Sequence, residues 1–250
     1  MRERMLTGVR SPPWGKKEVS MPQMTTIPES GKSALHAGVP IAEARAVVLL
    51  LHGRGGNASD ILSLSSVLEQ KDVAYLAPEA EGNSWYPYSF LAPLRQNEPA
   101  LSGALQTVRE YLVFLEAAGV PQERIVLAGF SQGACLSLEY AGRNPGRYGA
   151  IVALSGGRVG PLGIEWNDGG DFAGTPVFLG CSDVDFHIPL ERVKQSSKYF
   201  RDHGASVIER IYPQMGHTVN DDEIRVFQQF LRTLVASSPQ SSVDTENAGG

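Results

Sequence analysis

A serine flanked by glycines, Gly129-Phe130-Ser131-Gln132-Gly133, follows the apolar, β-branched run Arg124–Ala128 and opens a helix-like segment, Gln132–Arg143. Strand, sharp turn and helix form the setting in which a serine hydroxyl is lifted clear of a sheet to attack a carbonyl carbon. Gly129 and Gly133 carry no Cβ, so the backbone around Ser131 can close tightly. A serine alcohol is a weak nucleophile until a base takes its proton. His217, in Met215-Gly216-His217-Thr218, supplies a neutral imidazole suited to that task near neutral pH. An acid must then hold the imidazole in the accepting tautomer, and two aspartates compete for the role, Asp183 and Asp185, in Gly180-Cys-Ser-Asp-Val-Asp-Phe-His187. A fourth piece, His52-Gly53-Arg54-Gly55-Gly56, can aim a backbone N–H at the oxyanion of the attacked carbonyl. The Arg54 N–H and the Gln132 N–H, directly after the serine, are the candidate donors. The Arg54 side chain is expected to face solvent or a neighbouring carboxylate. Together these residue types could perform acyl transfer.

Such groups meet only if the chain folds them to one place. Strand-like runs recur at Ala46–Leu51, Val73–Ala77, Arg124–Ala128, Ile151–Leu154, Pro176–Gly180 and Val207–Tyr212. Helix-like segments alternate with them: Asp60–Gln70, Ala100–Ala118, Gln132–Arg143, Leu190–Arg201 and Asp221–Leu234. In the second of these, Leu101, Leu105, Val108, Leu112 and Leu115 fall on one helical face. Asn220 with Asp221, Asp222 and Glu223 gives the last helix a cap and an acidic first turn. The alternation predicts an α/β fold, a mostly parallel central sheet with helices on both faces and no large cap domain. Ligands in such sheets bind outside the carboxyl ends of the strands, where every candidate residue above falls. The order Ser131, Asp, His217 is that of α/β-hydrolases, unlike chymotrypsin or subtilisin.

At 250 residues, the chain is within the range of one such domain, with 42% hydrophobic and 20% charged residues. Residues 1–30, basic at the start and poor in apolar content, and residues 236–250 are expected to lack a fold, leaving residues 31–235 as the working domain. The basic start has no continuous apolar core of a secretory signal. A net charge of −5 gives no footprint for nucleic acid. The longest apolar runs are too short to span a bilayer. Cys135 and Cys181 read as buried structural thiols, which suits a reducing, cytoplasmic compartment. A homodimer through an apolar face is compatible with this composition. His36 and His203 read as structural and His187 as loop packing. No His-Glu-x-x-His or Cys-x-x-Cys spacing argues for a metal.

The motifs also carry a resemblance. Leu50-Leu-His-Gly-Arg-Gly55, Trp85-Tyr86, Gly129-Phe-Ser-Gln-Gly-Ala134, Leu154-Ser-Gly156 and Gly216-His217 resemble the phospholipase/carboxylesterase family, the group that includes acyl-protein thioesterases. The likeness extends over residues 35–234. It implies a serine carboxylesterase acting on small-molecule esters, with thioesters or lysophospholipids as further substrates, through an acyl-enzyme on Ser131 and without a cofactor. The family's acid sits in Gly-x-x-Asp-Pro-x-Val-Pro. Counting from Gly180 selects Asp183, and counting back from Pro189 selects Asp185; Asp185 is preferred because a strand end absorbs the surplus most easily. Phe186 replaces the family's proline, which loosens the loop or places a ring at the pocket mouth as a substrate contact. The resemblance puts Trp85 close to the site, where the aromatic loop 85–91 could wall a pocket for short or medium acyl chains. Two rivals stand beside this reading: a peptidase or dienelactone-type hydrolase, and a silent hydrolase fold serving as a binding protein.

Overall fold

Alternate residues of Ala46–Leu51 face opposite ways: Val47, Leu49 and Leu51 enter one apolar core, while Ala46, Val48 and Leu50 enter another. A strand whose period-two faces are both buried belongs in the middle of a covered sheet. The computed structural model, which describes residues 13–15, 23–27 and 31–237, contains an eight-stranded sheet. Its strands are β1 (Gln23–Thr26), β2 (Ser33–Gly38), β3 (Ala46–Leu51), β4 (Val73–Pro78), β5 (Ile125–Phe130), β6 (Ala150–Leu154), β7 (Pro176–Ser182) and β8 (Ser206–Tyr212). Their spatial order is β1-β2-β4-β3-β5-β6-β7-β8. From β4 to β8 every pairing is parallel, and β1 and β2 add an antiparallel edge.

The helices are α1 (Ala58–Leu62), α2 (Leu64–Leu68), α3 (Leu94–Asn97), α4 (Ala100–Ala117), α5 (Gln132–Arg143), α6 (Leu190–Asp202) and α7 (Asp221–Ser237). Apolar residues of α1, α2 and α7 pack on one face of the sheet. Those of α4, α5 and α6 pack on the other. This is the three-layer arrangement of an α/β-hydrolase, and among the described residues no separate cap domain is inserted.

Three local differences from the sequence expectations have physical causes. The single helix expected over Asp60–Gln70 is two short ones. Asn57 caps α1 by accepting the Asp60 N–H at 2.8 Å, and the Ser63 hydroxyl donates to the Asp60 carbonyl at 2.6 Å, competing with helical bonding where the two helices meet. Strands β1 and β2 were not expected; β1 is polar and mostly exposed, so it carries no hydrophobic period. Strand β1 falls inside residues 1–30, expected to lack a fold, and is held by main-chain pairing with β2 rather than by burial. Most of that segment, and residues 238–250 of the expected tail, lie outside the described residues.

Candidate active site

The turn after β5 holds Ser131 at φ 55° and ψ −117°, a conformation that costs a non-glycine residue about 1–3 kcal/mol. The surrounding structure enforces it. The Ser131 N–H donates to the Leu154 carbonyl at 3.0 Å, and its own carbonyl accepts from the Cys135 N–H at 3.0 Å as α5 begins. A methyl group on Gly133 would overlap the Leu51 carbonyl, so β3 can lie against the turn only because that residue is glycine. The hydroxyl is left facing the cleft at the carboxyl ends of the strands.

His217 arrives from the loop between β8 and α7. Its Nε2 lies 2.9 Å from Ser131 Oγ and its Nδ1 lies 2.7 Å from Asp185 Oδ2. A carboxylate only accepts, so Nδ1 carries the proton and Nε2 is free to accept from the serine. Asp185 is fixed in turn: its Oδ1 accepts the main-chain N–H groups of His187 (2.8 Å) and Ile188 (3.1 Å). Burial pushes its carboxyl pKa up, but the bond from His217 and these main-chain N–H groups outweigh it and bring the pKa below the ordinary value. The Cys181 thiol also approaches Asp185 Oδ2, at 3.7 Å, and burial raises its pKa, so it stays protonated. Asp183 has a different job. Its Oδ1 accepts the Gln214 N–H at 2.8 Å and ties the β7 and β8 loops together. The structure thus brings Ser131, His217 and Asp185 together and leaves Asp183 outside.

Two serines with no assigned role in the sequence position the histidine loop. Ser182 Oγ accepts the Gly216 N–H at 3.0 Å, and Ser155 Oγ donates to the Thr218 carbonyl at 3.2 Å. Leu154-Ser155-Gly156 was visible as a motif, yet only the fold shows what its hydroxyl touches. The loop then enters α7, where Asn220 Oδ1 accepts the N–H groups of Asp222 and Glu223 and Glu223 accepts the Asn220 N–H, a reciprocal cap.

The turn after β3 faces Ser131 from the opposite side. His52 is buried; its Nε2 accepts the Ala80 N–H at 3.0 Å, so its Nδ1–H donates to the Gly53 carbonyl at 2.8 Å. Burial lowers its pKa and keeps the ring neutral, consistent with that bonding. Gly55 N–H donates to Asn83 O and Gly56 N–H to Gly53 O. The N–H groups of Arg54 and Gln132 have no acceptor among the described residues. The Arg54 side chain is exposed, as expected, and meets no carboxylate; it donates to Ser84 Oγ (3.0 Å) and to the carbonyls of Pro87 (2.8 Å) and Tyr88 (2.6 Å). Carbonyls of the aromatic loop are within its reach and no acidic side chain is needed.

The cleft over Ser131 has a volume of ≈ 850 Å³. Among its lining residues, Tyr86, Phe90, Cys135 and Ile188 belong to the core under α4, α5 and α6, and Phe130, Ile61 and Trp14 to the core on the other face of the sheet. Trp85 does not line the cleft. It is 5% exposed, donates its indole N–H to the His52 carbonyl at 2.9 Å and packs against the His52 ring, so it supports the turn from behind. Phe186 does not line the cleft either: its side chain is 98% exposed on the loop that carries Asp185. His187, read as loop packing, does line it, with its ring centroid 4.8 Å from that of His217. Trp14 was missed because nothing in the first thirty residues has a periodic pattern that would tie it to the core. His36 bonds the Val39 carbonyl and His203 the Tyr199 carbonyl, both away from the cleft.

Comparison with known proteins places the whole chain rather than its individual site residues. The profile of the phospholipase/carboxylesterase family matches residues 37–235. Acyl-protein thioesterase 1 of Saccharomyces cerevisiae is 26% identical over 230 residues, 82% of this chain and 100% of that protein. A probable carboxylesterase, SOBER1-like, of Arabidopsis thaliana is 26% identical over 80% of this chain and 82% of its own length. Among solved structures, a phospholipase/carboxylesterase from Dyadobacter fermentans shares 45% identity with a TM-score of 0.77, covering 84% of this chain and 99% of that one. With the profile spanning most of its length and the hydrolase sheet beneath it, the chain belongs to the phospholipase/carboxylesterase family.

Proposed function

We propose that this protein is a serine carboxylesterase in which Ser131, His217 and Asp185 form the catalytic triad. The observation that carries the reading is the continuous hydrogen-bonded line from Ser131 Oγ through His217 to Asp185, at 2.9 and 2.7 Å. As Ser131 Oγ bonds to the carbonyl carbon of an ester, its proton passes to His217 Nε2. The carbonyl oxygen becomes an oxyanion that accepts from the Arg54 and Gln132 N–H groups; losing one such donor costs about 10²–10³ in turnover. The C–O bond then breaks and Nε2 returns the proton to the departing alcohol. Water, deprotonated by the same nitrogen, attacks the acyl-enzyme and releases the acid.

The same steps cleave a C–S bond, and the relative named acyl-protein thioesterase 1 places thioesters among the substrates to be tested. Tyr86, Phe90, Cys135 and Ile188 supply the apolar wall for the acyl chain. Burial pushes the Cys135 thiol up to about 12, so it is a packing atom there and no rival nucleophile. No helix among the described residues is long and apolar enough to cross a membrane, and two free, buried thiols suit a cytoplasmic setting. The test is hydrolysis of 4-nitrophenyl esters from acetyl to palmitoyl by wild type and Ser131→Ala, with fluorophosphonate labelling alongside. Turnover peaking at one chain length, with both turnover and labelling lost in the variant, is the expected result. A folded wild type with neither activity nor labelling supports the silent binding protein instead.

A further inference from the structure

Trp14 lies outside residues 37–235, the part matched by the family profile, yet it lines the cleft together with Pro13. Its placement is fixed by three contacts. The indole N–H donates to Ser63 Oγ at 2.7 Å, the ring meets Phe130 edge-on with centroids 5.8 Å apart, and its apolar body packs with the cluster under α1, α2 and α7. Phe130 in turn lies against the His217 ring, centroids 5.0 Å apart. A chain of aromatic contact therefore runs from Trp14 to the base.

The two apolar walls of the cleft belong to opposite faces of the sheet. Tyr86, Phe90, Cys135 and Ile188 come from the core under α4, α5 and α6 and are all buried. Trp14, Phe130 and Ile61 come from the core on the other face, where Trp14 and Phe130 are half-buried and Asn57 and Asp60 also border the cleft. In a tetrahedral adduct on Ser131 the oxyanion points at its N–H donors, and the leaving atom must be within reach of His217 Nε2 to receive a proton. The acyl chain stays attached after that step and suits the closed, buried wall. The alcohol has to depart, and suits the half-open one that reaches the base through Phe130.

We propose that Trp14 is a specificity-determining residue for the leaving group: it offers a flat, apolar wall to the alcohol or thiol part of the substrate and favours aryl over small alkyl leaving groups. The proposal rests on Ser131 as nucleophile and His217 as its base. Ser63 is the positioning residue for the indole, since its hydroxyl accepts the only polar hydrogen the ring has.

The experiment compares phenyl and methyl esters of one acid, and a series of acids at one alcohol, in the full chain carrying Trp14→Ala or Trp14→Phe. Both esters of one acid give the same acyl-enzyme, so the ratio of their kcat/KM values reports the leaving-group side alone. The expected result is a phenyl-to-methyl ratio about tenfold lower in Trp14→Ala, the scale of a lost apolar contact in a pocket, and regained in part in Trp14→Phe. Equal losses for the two esters, an unchanged ratio in both variants, or a change that follows acyl length instead would overturn the proposal. Ser131→Ala is run beside them. Hydrolysis retained in that variant overturns the nucleophile assignment and this inference with it, whereas a dead Ser131→Ala with an unchanged ratio in both Trp14 variants overturns the inference alone.

Discussion

Gln132 grips Trp85 through its side chain: Oε1 accepts the Trp85 N–H at 2.9 Å while Nε2 donates to the Tyr86 carbonyl at 2.8 Å. The residue beside Ser131 thus has two separate uses. Its main chain faces the cleft and its side chain fastens the aromatic loop behind the β3 turn. Gln132→Ala keeps the main-chain N–H but leaves the buried Trp85 N–H without a partner, a cost of about 1–3 kcal/mol. A lowered thermal midpoint together with a reduced kcat/KM is expected. An unchanged midpoint would show that the loop is held by packing alone.

Asp185 and Asp183 are two residues apart and differ in everything around them. Replacing Asp185 by Asn removes the charge that stabilises the imidazolium and lets the amide donate to the wrong ring nitrogen, so kcat should fall about 10³- to 10⁴-fold. Asp183→Asn retains an oxygen for the Gln214 N–H and should stay within a few-fold of wild type, about the size of a surface change. Parallel kinetics on the two variants decide the matter, and a reversed ranking would move the triad acid to Asp183.

The approach of Gly133 to Leu51 predicts a structural loss. A Cβ there meets the main chain of β3, which cannot rotate away as a side chain would. Gly133→Ala should lower the urea midpoint by the equivalent of about 1–3 kcal/mol or more. A variant that unfolds like wild type would mean that the elbow can shift without cost.

Glu223 is fully buried, and its Oε1 has no hydrogen-bond partner among the described residues. Burial pushes its carboxyl pKa up to about 7 from the ordinary 4.5. The folded state therefore holds a proton that the unfolded state releases, and the stability this contributes is present below pH 4.5 and lost as pH rises through about 7. Glu223→Gln keeps an acceptor for the Asn220 N–H and removes the charge. The variant should gain thermal midpoint over wild type at alkaline pH and gain little at acid pH, as scanned calorimetrically across that range. Parallel curves for the two proteins would contradict the assignment of the proton to Glu223.

The central strands and the glycine-flanked turn at Ser131 were legible because their signals are local: apolar runs such as Ala46–Leu51, and glycines where the backbone needs them. Their extent and the helix that follows need no distant partner to be read, whereas their register, such as Val47 opposite Ile125, does. Side-chain direction in loops is another matter. Trp85 faces inward because the His52 carbonyl needs a donor, and Arg54 turns to the aromatic loop because three acceptors are gathered there. Neither cause is visible near the residue in sequence. The choice between Asp183 and Asp185 depended on which carboxylate the loop turns toward His217, a matter of main-chain N–H groups at His187 and Ile188. Trp14 reaches the cleft from far upstream, and β1 is built from main-chain pairing that polar residues permit but do not announce.

The ends of β3, β5, β7 and β8 present the residues proposed to react, whereas β1 and β2 present none of them. That antiparallel pair lies at one margin of the sheet, and its exposed strand is the one most prone to separate while the interior stays intact. Fraying there can be transient and reversible, leaving the line from Ser131 to Asp185 assembled throughout. Durability at this margin and turnover at the centre are then independent traits, open to separate selection.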